Sequence, residues 1–203
     1  MFFLYVCKMK ITNNKTYMKQ HPLASFRFCP LCGSGRFVEN NFKSKRCETC
    51  GFVYYFNPST STVAVIVNEN NELLAVRRAK EPAKGTLDLP GGFSDCYETA
   101  EEGVAREVKE ETGLIVESTD YLFSIPNVYP FGGLDIHTTD LFFLCRVADT
   151  KGATAMDDAG EVLWLPWEEV RAEDFGLKSI SLGVARLLEL HASGRMANPY
   201  KQR

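Results

Sequence analysis

Three glutamates, Glu107, Glu110 and Glu111, are spaced so that a helix would gather them on one side. At about 100° per residue they fall within an arc of about 100°, while Ala100, Val104, Val108 and Thr112 form the adjoining stripe. One side of such a helix faces a core and the next carries carboxylates. Like charges at i, i+3 and i+4 destabilise a bare helix by about a few tenths of a kcal/mol per pair, so a cation is expected among them. Hard oxygen ligands select Mg²⁺ or Mn²⁺. Gly103, one turn before Glu107, is expected to leave room for a metal or phosphate, at a cost of about 1 kcal/mol relative to alanine. Arg106 can orient Glu110 through an i, i+4 pair. Taken alone, the same run also describes a solvated acidic helix.

A second set of ligating residues precedes it. Of the seven cysteines, four fall as Cys29-x2-Cys32 and Cys47-x2-Cys50, the spacing of a four-thiolate zinc site. Gly33 and Gly51 follow the two pairs and tolerate the left-handed backbone that such knuckles require. Four thiolates close a tetrahedron, so this Zn²⁺ reads as structural. Redox pairs or disulfides are the competing reading. Cys7, Cys96 and Cys145 have no matching partner, and the three histidines fit no ligand spacing.

The elements that must position these groups can be read in turn. Residues 52–56 form an aromatic strand, and Asn57-Pro58-Ser59 marks a boundary. Residues 62–67 and 73–77 read as a hairpin around Asn68-Glu69-Asn70-Asn71. Thr99-x-x-Glu102 is a capping box that starts the carboxylate helix near Ala100, and Gly113 stops it. Residues 114–123 and 134–147 have strand composition, with a loop expected at 126–133. A short strand at 162–165, a turn of helix at 167–170 and a helix at 180–191 complete the pattern. The fold class is α/β, with 1–20 expected as a disordered extension, 21–58 as a zinc ribbon and 59–203 as the larger domain.

The segment from Gly92 to Leu114 matches without departure the Nudix box, Gly-x5-Glu-x7-Arg-Glu-U-x-Glu-Glu-x-Gly-U, where U is a bulky aliphatic residue. A chance match in a chain this long has a probability on the order of 10⁻⁷. The chain thus resembles the Nudix hydrolases, which split a nucleoside diphosphate linked to another group. The resemblance implies an α/β/α sandwich and hydrolysis assisted by Mg²⁺ or Mn²⁺. It implies that Glu107, Glu110 and Glu111 hold the ions, that Glu98 and the Gly92 carbonyl assist, and that Arg106 orients a carboxylate. The general base varies in the family, and Glu107 and Glu161 are the candidates; Glu161 reads equally as an ordinary exposed residue. A zinc ribbon before the box is similar to the NADH pyrophosphatase branch, whose post-box array is partly matched by Ser124-Ile125-Pro126-Asn127-Val128-Tyr129-Pro130-Phe131. Pro130 also fits the ADP-ribose pyrophosphatase pattern. Tyr129, Pro130 and Phe131 are therefore candidate substrate contacts, with loop packing as the alternative role for the two rings.

Bulk properties narrow the choice. The chain has 203 residues, 45% of them hydrophobic, enough for one ordinary domain and a small satellite. Its net charge of −3 is uneven: up to Pro58 nine Lys/Arg face two Glu, and beyond it 14 face 24 acidic residues. The apolar opening run is far shorter than the roughly 20 residues that span a bilayer, so a cytoplasmic protein without a membrane partner is expected. The expected partner is a nucleotide-derived small molecule, with removal of oxidised nucleoside triphosphates or RNA caps as alternatives. A nucleic-acid-binding or ligand-sensing regulator on the same fold is the reading from another class. It is disfavoured by the complete Glu set and by an expected lack of exposed aromatics among basic residues in the ribbon. A homodimer is left open.

Overall fold

The computed structural model describes residues 21–157, 159–196, 198 and 200, so the extension expected over 1–20 lies outside the described residues. Among them the chain divides into two compact units between Asn57 and Pro58. No described helix is long and apolar enough to cross a membrane.

The first unit is an antiparallel meander of β1 (Phe37–Asn41), β2 (Ser44–Cys47) and β3 (Val53–Tyr55), in that order. Its core consists of Cys29, Phe37 and Cys47 with Phe52 against them, too little apolar surface to hold a module of this size unaided. The expected lack of exposed aromatics is corrected here. Phe28 and Phe42 are 65% and 75% exposed, next in sequence to Arg27 and Lys43, and Tyr55 is exposed as well. A three-stranded sheet has too few layers to cover both of its faces.

The second unit is the expected α/β sandwich. One sheet runs in the order β7 (Gly91–Phe93), β4 (Ser59–Ile66), β9 (Leu134–Val147), β8 (Val116–Phe131); the other runs β10 (Ala159–Pro166), β5 (Glu72–Arg78), β6 (Leu87–Asp88). β4 and β9 are parallel, with Ser61 opposite Asp140. Alternation along β4 sends its side chains into two cores. Val63, Val65 and Val67 join Ile180, Val184 and Leu187 of α2 (Lys178–Ala192). Ala64 and Ile66 join Val104 and Val108 of α1 (Ala100–Thr112). α2 approaches β9 closely at Gly183, where an added Cβ would lie 2.3 Å from the Phe142 ring.

Three local expectations need correction. The runs around Asn68 to Asn71 do not form a hairpin ladder: they meet only at the Val67–Leu73 bridge and then part into the two sheets. The segment 126–131 is not a loop but the second half of β8, paired with β9 as far as Phe131 and Leu134. Its prolines are tolerated because β8 is an edge strand, where a missing N–H removes no ladder bond. Gly132 and Gly133, at φ +59° and +79°, make the tight turn. Trp167 begins a simple turn, and the short helix comes later, as one 3₁₀ turn at Ala172–Asp174.

Candidate active site

The four cysteines of the first unit converge, their sulfur atoms all within 4.8 Å of one another. Cys29 Sγ lies 3.8 Å from Cys50 Sγ, and Cys32 Sγ lies 3.6 Å from Cys47 Sγ. A tetrahedron with metal–sulfur bonds of 2.3 Å has edges of about 3.8 Å, so the thiols already stand at the spacing of a four-thiolate metal site. All four are free thiols. Each knuckle closes by a backbone bond, Gly33 N to Cys29 O at 2.8 Å and Gly51 N to Cys47 O at 2.9 Å, with both glycines left-handed as expected. Burial opposes ionisation of Cys47, but the amides of Cys50 and Thr49 outweigh it and bring its thiol down to about 6.

In the second unit α1 begins and ends on its signals. Thr99 Oγ1 accepts from Glu102 N, Glu102 Oε2 accepts from Thr99 N, and Gly113 closes the helix at φ +72°. This fixes the rotation of the carboxylate face. Arg106 lies at its centre. Its Nε and Nη2 donate to the two oxygens of Glu98 at 3.1 and 2.9 Å, and its Nη1 donates to Glu107 Oε1 at 2.9 Å and Glu110 Oε2 at 3.0 Å. The expected pairing with Glu110 is present, but Glu98 is the bidentate partner. Glu111 accepts from Gly91 N at 3.1 Å. The space beside Gly103 holds no gap: an added Cβ would meet Glu98 Oε1 at 2.9 Å. That expectation is corrected, since a carboxylate from the preceding loop fills the position.

Gly92 lies against Glu107, where an added Cβ would come within 2.4 Å of Oε1. Charge and shape together suit this place to a divalent ion. Arg106 is hydrogen-bonded to Glu98, Glu107 and Glu110 and lies 3.7 Å from Asp95 Oδ2, so acids outnumber the one guanidinium, and Gly92 lets the loop backbone close on Glu107. Arg106 holds Glu98 below the usual carboxylate range. Burial pushes Glu107 above it, with Glu110 and Glu98 adding repulsion that Arg106 only partly offsets. A divalent cation suits such an excess of oxygen donors.

A cavity of about 480 Å³ opens beside this face, lined by Glu107, Glu110, Glu111, Gly92 and Arg106. Tyr129 and Phe131 also line it, and Tyr129 meets Phe93 edge-on at 5.9 Å. Glu98 lies outside this lining, in an adjoining shallow depression. Pro130 and Glu161 are absent from the lining as well. Glu161 stands opposite Arg77 on β5 and accepts from its Nε at 2.8 Å. Sequence reasoning missed Arg78, Asp88, Thr138, Asp140 and Ser179, all of which line the cavity. One signal was available: Asp140 shares its strand face with Phe142 and Leu144, an acid on an inward row.

Residues 58–182 match the NUDIX domain, and the chain belongs to that family. It is 40% identical over 141 residues to an ADP-ribose pyrophosphatase of Methanocaldococcus jannaschii, covering 64% of this chain and 80% of that protein. It is 30% identical over 157 residues to the NAD-capped RNA hydrolase NudC of Vibrio atlanticus, covering 77% of this chain. The chain spans 54% of that relative's length. A NUDIX hydrolase structure from Nitrosomonas europaea shares the fold, with a TM-score of 0.64 at 24% identity over 83% of this chain and 93% of the other.

Proposed function

We propose that this chain hydrolyses the diphosphate bond of a nucleoside diphosphate derivative of the NAD(H) or ADP-ribose kind. The observation that carries the reading is the carboxylate face of α1 opening on a 480 Å³ cavity walled by Tyr129 and Phe131. That volume suits a nucleotide-sized ligand. Glu107, Glu110 and Glu111 would hold Mg²⁺ or Mn²⁺, with Glu98 and the Gly92 carbonyl close by, and Cys29, Cys32, Cys47 and Cys50 would hold a structural Zn²⁺. A bound divalent ion neutralises diphosphate charge and lowers the pKa of water. Arg106 fixes the carboxylates and keeps Glu98 ionised. Of the two acids weighed as general base, Glu107 is at the cavity and has its proton affinity raised by burial, whereas Glu161 is held by Arg77. Tyr129 and Phe131 would take a ring beyond the diphosphate, favouring two-ended substrates over triphosphates. Reduced thiols suit a cytoplasmic setting.

The test is a Mg²⁺-dependent hydrolysis panel of NADH, NAD, ADP-ribose, dinucleoside polyphosphates and nucleoside triphosphates, with products identified. NADH, NAD or ADP-ribose should give the highest kcat/KM, with NAD(H) cut to AMP and the nicotinamide mononucleotide and ADP-ribose cut to AMP and ribose 5-phosphate. Turnover of dGTP or an oxidised purine triphosphate at least about tenfold better by kcat/KM would overturn the substrate assignment.

A second reading is favoured by one observation, the exposed Phe28, Phe42 and Tyr55 beside Arg27 and Lys43 on the ribbon. Rings and cations in this arrangement suit single-stranded RNA, so a nucleotide cap on RNA would be the substrate. On that reading Phe42→Ala lowers turnover of capped RNA but not of free NAD, and the RNA reaction alone weakens steeply with salt.

A further inference from the structure

The cavity has a second polar end that the diphosphate chemistry does not use. Along β9, Thr138 and Asp140 share the row of Phe142 and Leu144, and each is only 3% exposed. Thr138 Oγ1 donates to Asp140 Oδ1 at 2.5 Å. The neighbouring Asp88 has a cation, Arg78, at 2.5 Å, whereas among the described residues Asp140 has only this neutral hydroxyl. A buried carboxylate so weakly compensated is costly unless something else donates to it.

Opposite in character is the start of α2. Its N-cap is Leu177, which supplies no side-chain acceptor, so the first-turn amides remain as donors at the positive end of the helix dipole. Ser179, in that first turn, is 1% exposed, and its hydroxyl is buried without a hydrogen-bond partner among the described residues. Leu177, Ser179 and Asp140 all line the cavity. An acceptor without a strong donor and donors without an acceptor thus face one space.

We propose that Asp140 and Ser179, with the uncapped start of α2, form a subsite for the amide-like edge of a planar nucleotide ring. Such an edge places an NH₂ donor beside a carbonyl or ring-nitrogen acceptor, as adenine and a carboxamide both do. The NH₂ group meets Asp140, and the acceptor meets Ser179 and the α2 amides. A phosphate, which only accepts, would leave the Asp140 carboxylate without a donor, whereas an edge that both donates and accepts satisfies Asp140 and the α2 donors together. The proposal rests on the reading of the cavity as a nucleotide site and adds which ring substituent it selects.

The experiment compares matched pairs on the whole 203-residue chain. Binding of AMP against IMP, and of nicotinamide mononucleotide against nicotinic acid mononucleotide, is measured by calorimetry with Mg²⁺ present. In parallel, kcat/KM is measured for ADP-ribose against inosine diphosphate ribose and for NAD against its nicotinic acid analogue. The amino-bearing member of at least one pair should be preferred by about tenfold or more, and the pair that discriminates identifies the adenine or the carboxamide end as the source. Asp140→Asn, which removes the charge and replaces one of the two acceptor oxygens by a donor NH₂, should raise binding of the oxo or carboxylate member while lowering that of the amino member. Ser179→Ala should narrow the preference in the same pair, and it tests the subsite should Asp140→Asn fail to fold. Glu110→Gln should abolish turnover and keep the binding preference, which separates this proposal from the hydrolase reading. Equal binding within both pairs, or equal loss on all four ligands in both folded variants, would overturn it.

Discussion

Arg106 grips Glu98 through two parallel hydrogen bonds, Nε to Oε2 and Nη2 to Oε1, and that pairing occupies the space Gly103 leaves on the face of α1. A planar fork can hold Glu98 and still reach Glu107 and Glu110; an ammonium cannot. Arg106→Lys is therefore expected to keep the fold and lose at least about tenfold in kcat. Glu98 has its pKa depressed by this contact. Its contribution to metal-free stability is present above its unfolded pKa and is lost as pH falls through the folded one. The stability gap between wild type and Arg106→Lys should accordingly be widest near neutrality and close below the usual carboxylate range, as read by denaturant titration at several pH values.

Glu107 has the opposite sign. Burial raises its folded pKa, so the stability it contributes is fully present below its unfolded pKa and is lost as pH rises through the folded one. At neutral pH, without metal, it strains the fold. Glu107→Gln should raise the metal-free Tm, abolish the Tm increase that Mg²⁺ produces in the wild type, and lower the rate at least about 100-fold. Glu110→Gln should show a similar rate loss in a folded protein.

Gly183 is where α2 meets the Phe142 ring. A methyl group there would overlap ring carbons at 2.3 Å, and the ring is fully buried with nowhere to turn. Gly183→Ala should destabilise the second unit by about 1–3 kcal/mol despite the better helix propensity of alanine, as measured by urea denaturation.

The ribbon predicts its own chemistry. Metal analysis of the protein purified under reducing conditions should find about one zinc per chain. Cys47→Ser should lose that zinc and the order of the first unit, seen by hydrogen exchange at β1 to β3, while hydrolysis of a small nucleotide substrate continues. Stable disulfides in place of zinc would contradict the assignment.

Tyr129→Ala and Phe131→Ala test the cavity wall. At least one should lower kcat/KM for a two-ended substrate by about tenfold, consistent with loss of about 1–3 kcal/mol of stacking, and leave a nucleoside triphosphate nearly unaffected.

The parts of this protein that could be read from its sequence are those whose geometry is local. Thr99 and Glu102 cap the same turn, Glu107, Glu110 and Glu111 share one helix face, and each cysteine pair lies within one knuckle, so spacing alone carried the reading. Asp140 and Ser179 are different. They come from a strand and a helix far apart in the chain, and no spacing connects them until the sandwich forms. Pro126 and Pro130 misled for a related reason: a proline reads as a loop unless the strand is known to lie at an edge, and sheet order is a tertiary property. The same holds for β4 and β5, whose intervening turn suggests pairing while their side chains belong to two sheets.

The parallel pairing of β4 with β9 sets an order of events during folding. Ser61 meets Asp140 only after the whole of α1 and β8 has been made and the intervening chain has closed on itself, a non-local step that slows folding. A nascent chain that has emerged only as far as Gly113 holds every glutamate of the box and yet has no cavity floor. Its helix would carry the box glutamates with nothing to bring a substrate to them, so the site waits for the β4–β9 pairing, and for α2 beyond it, rather than forming in step with the helix.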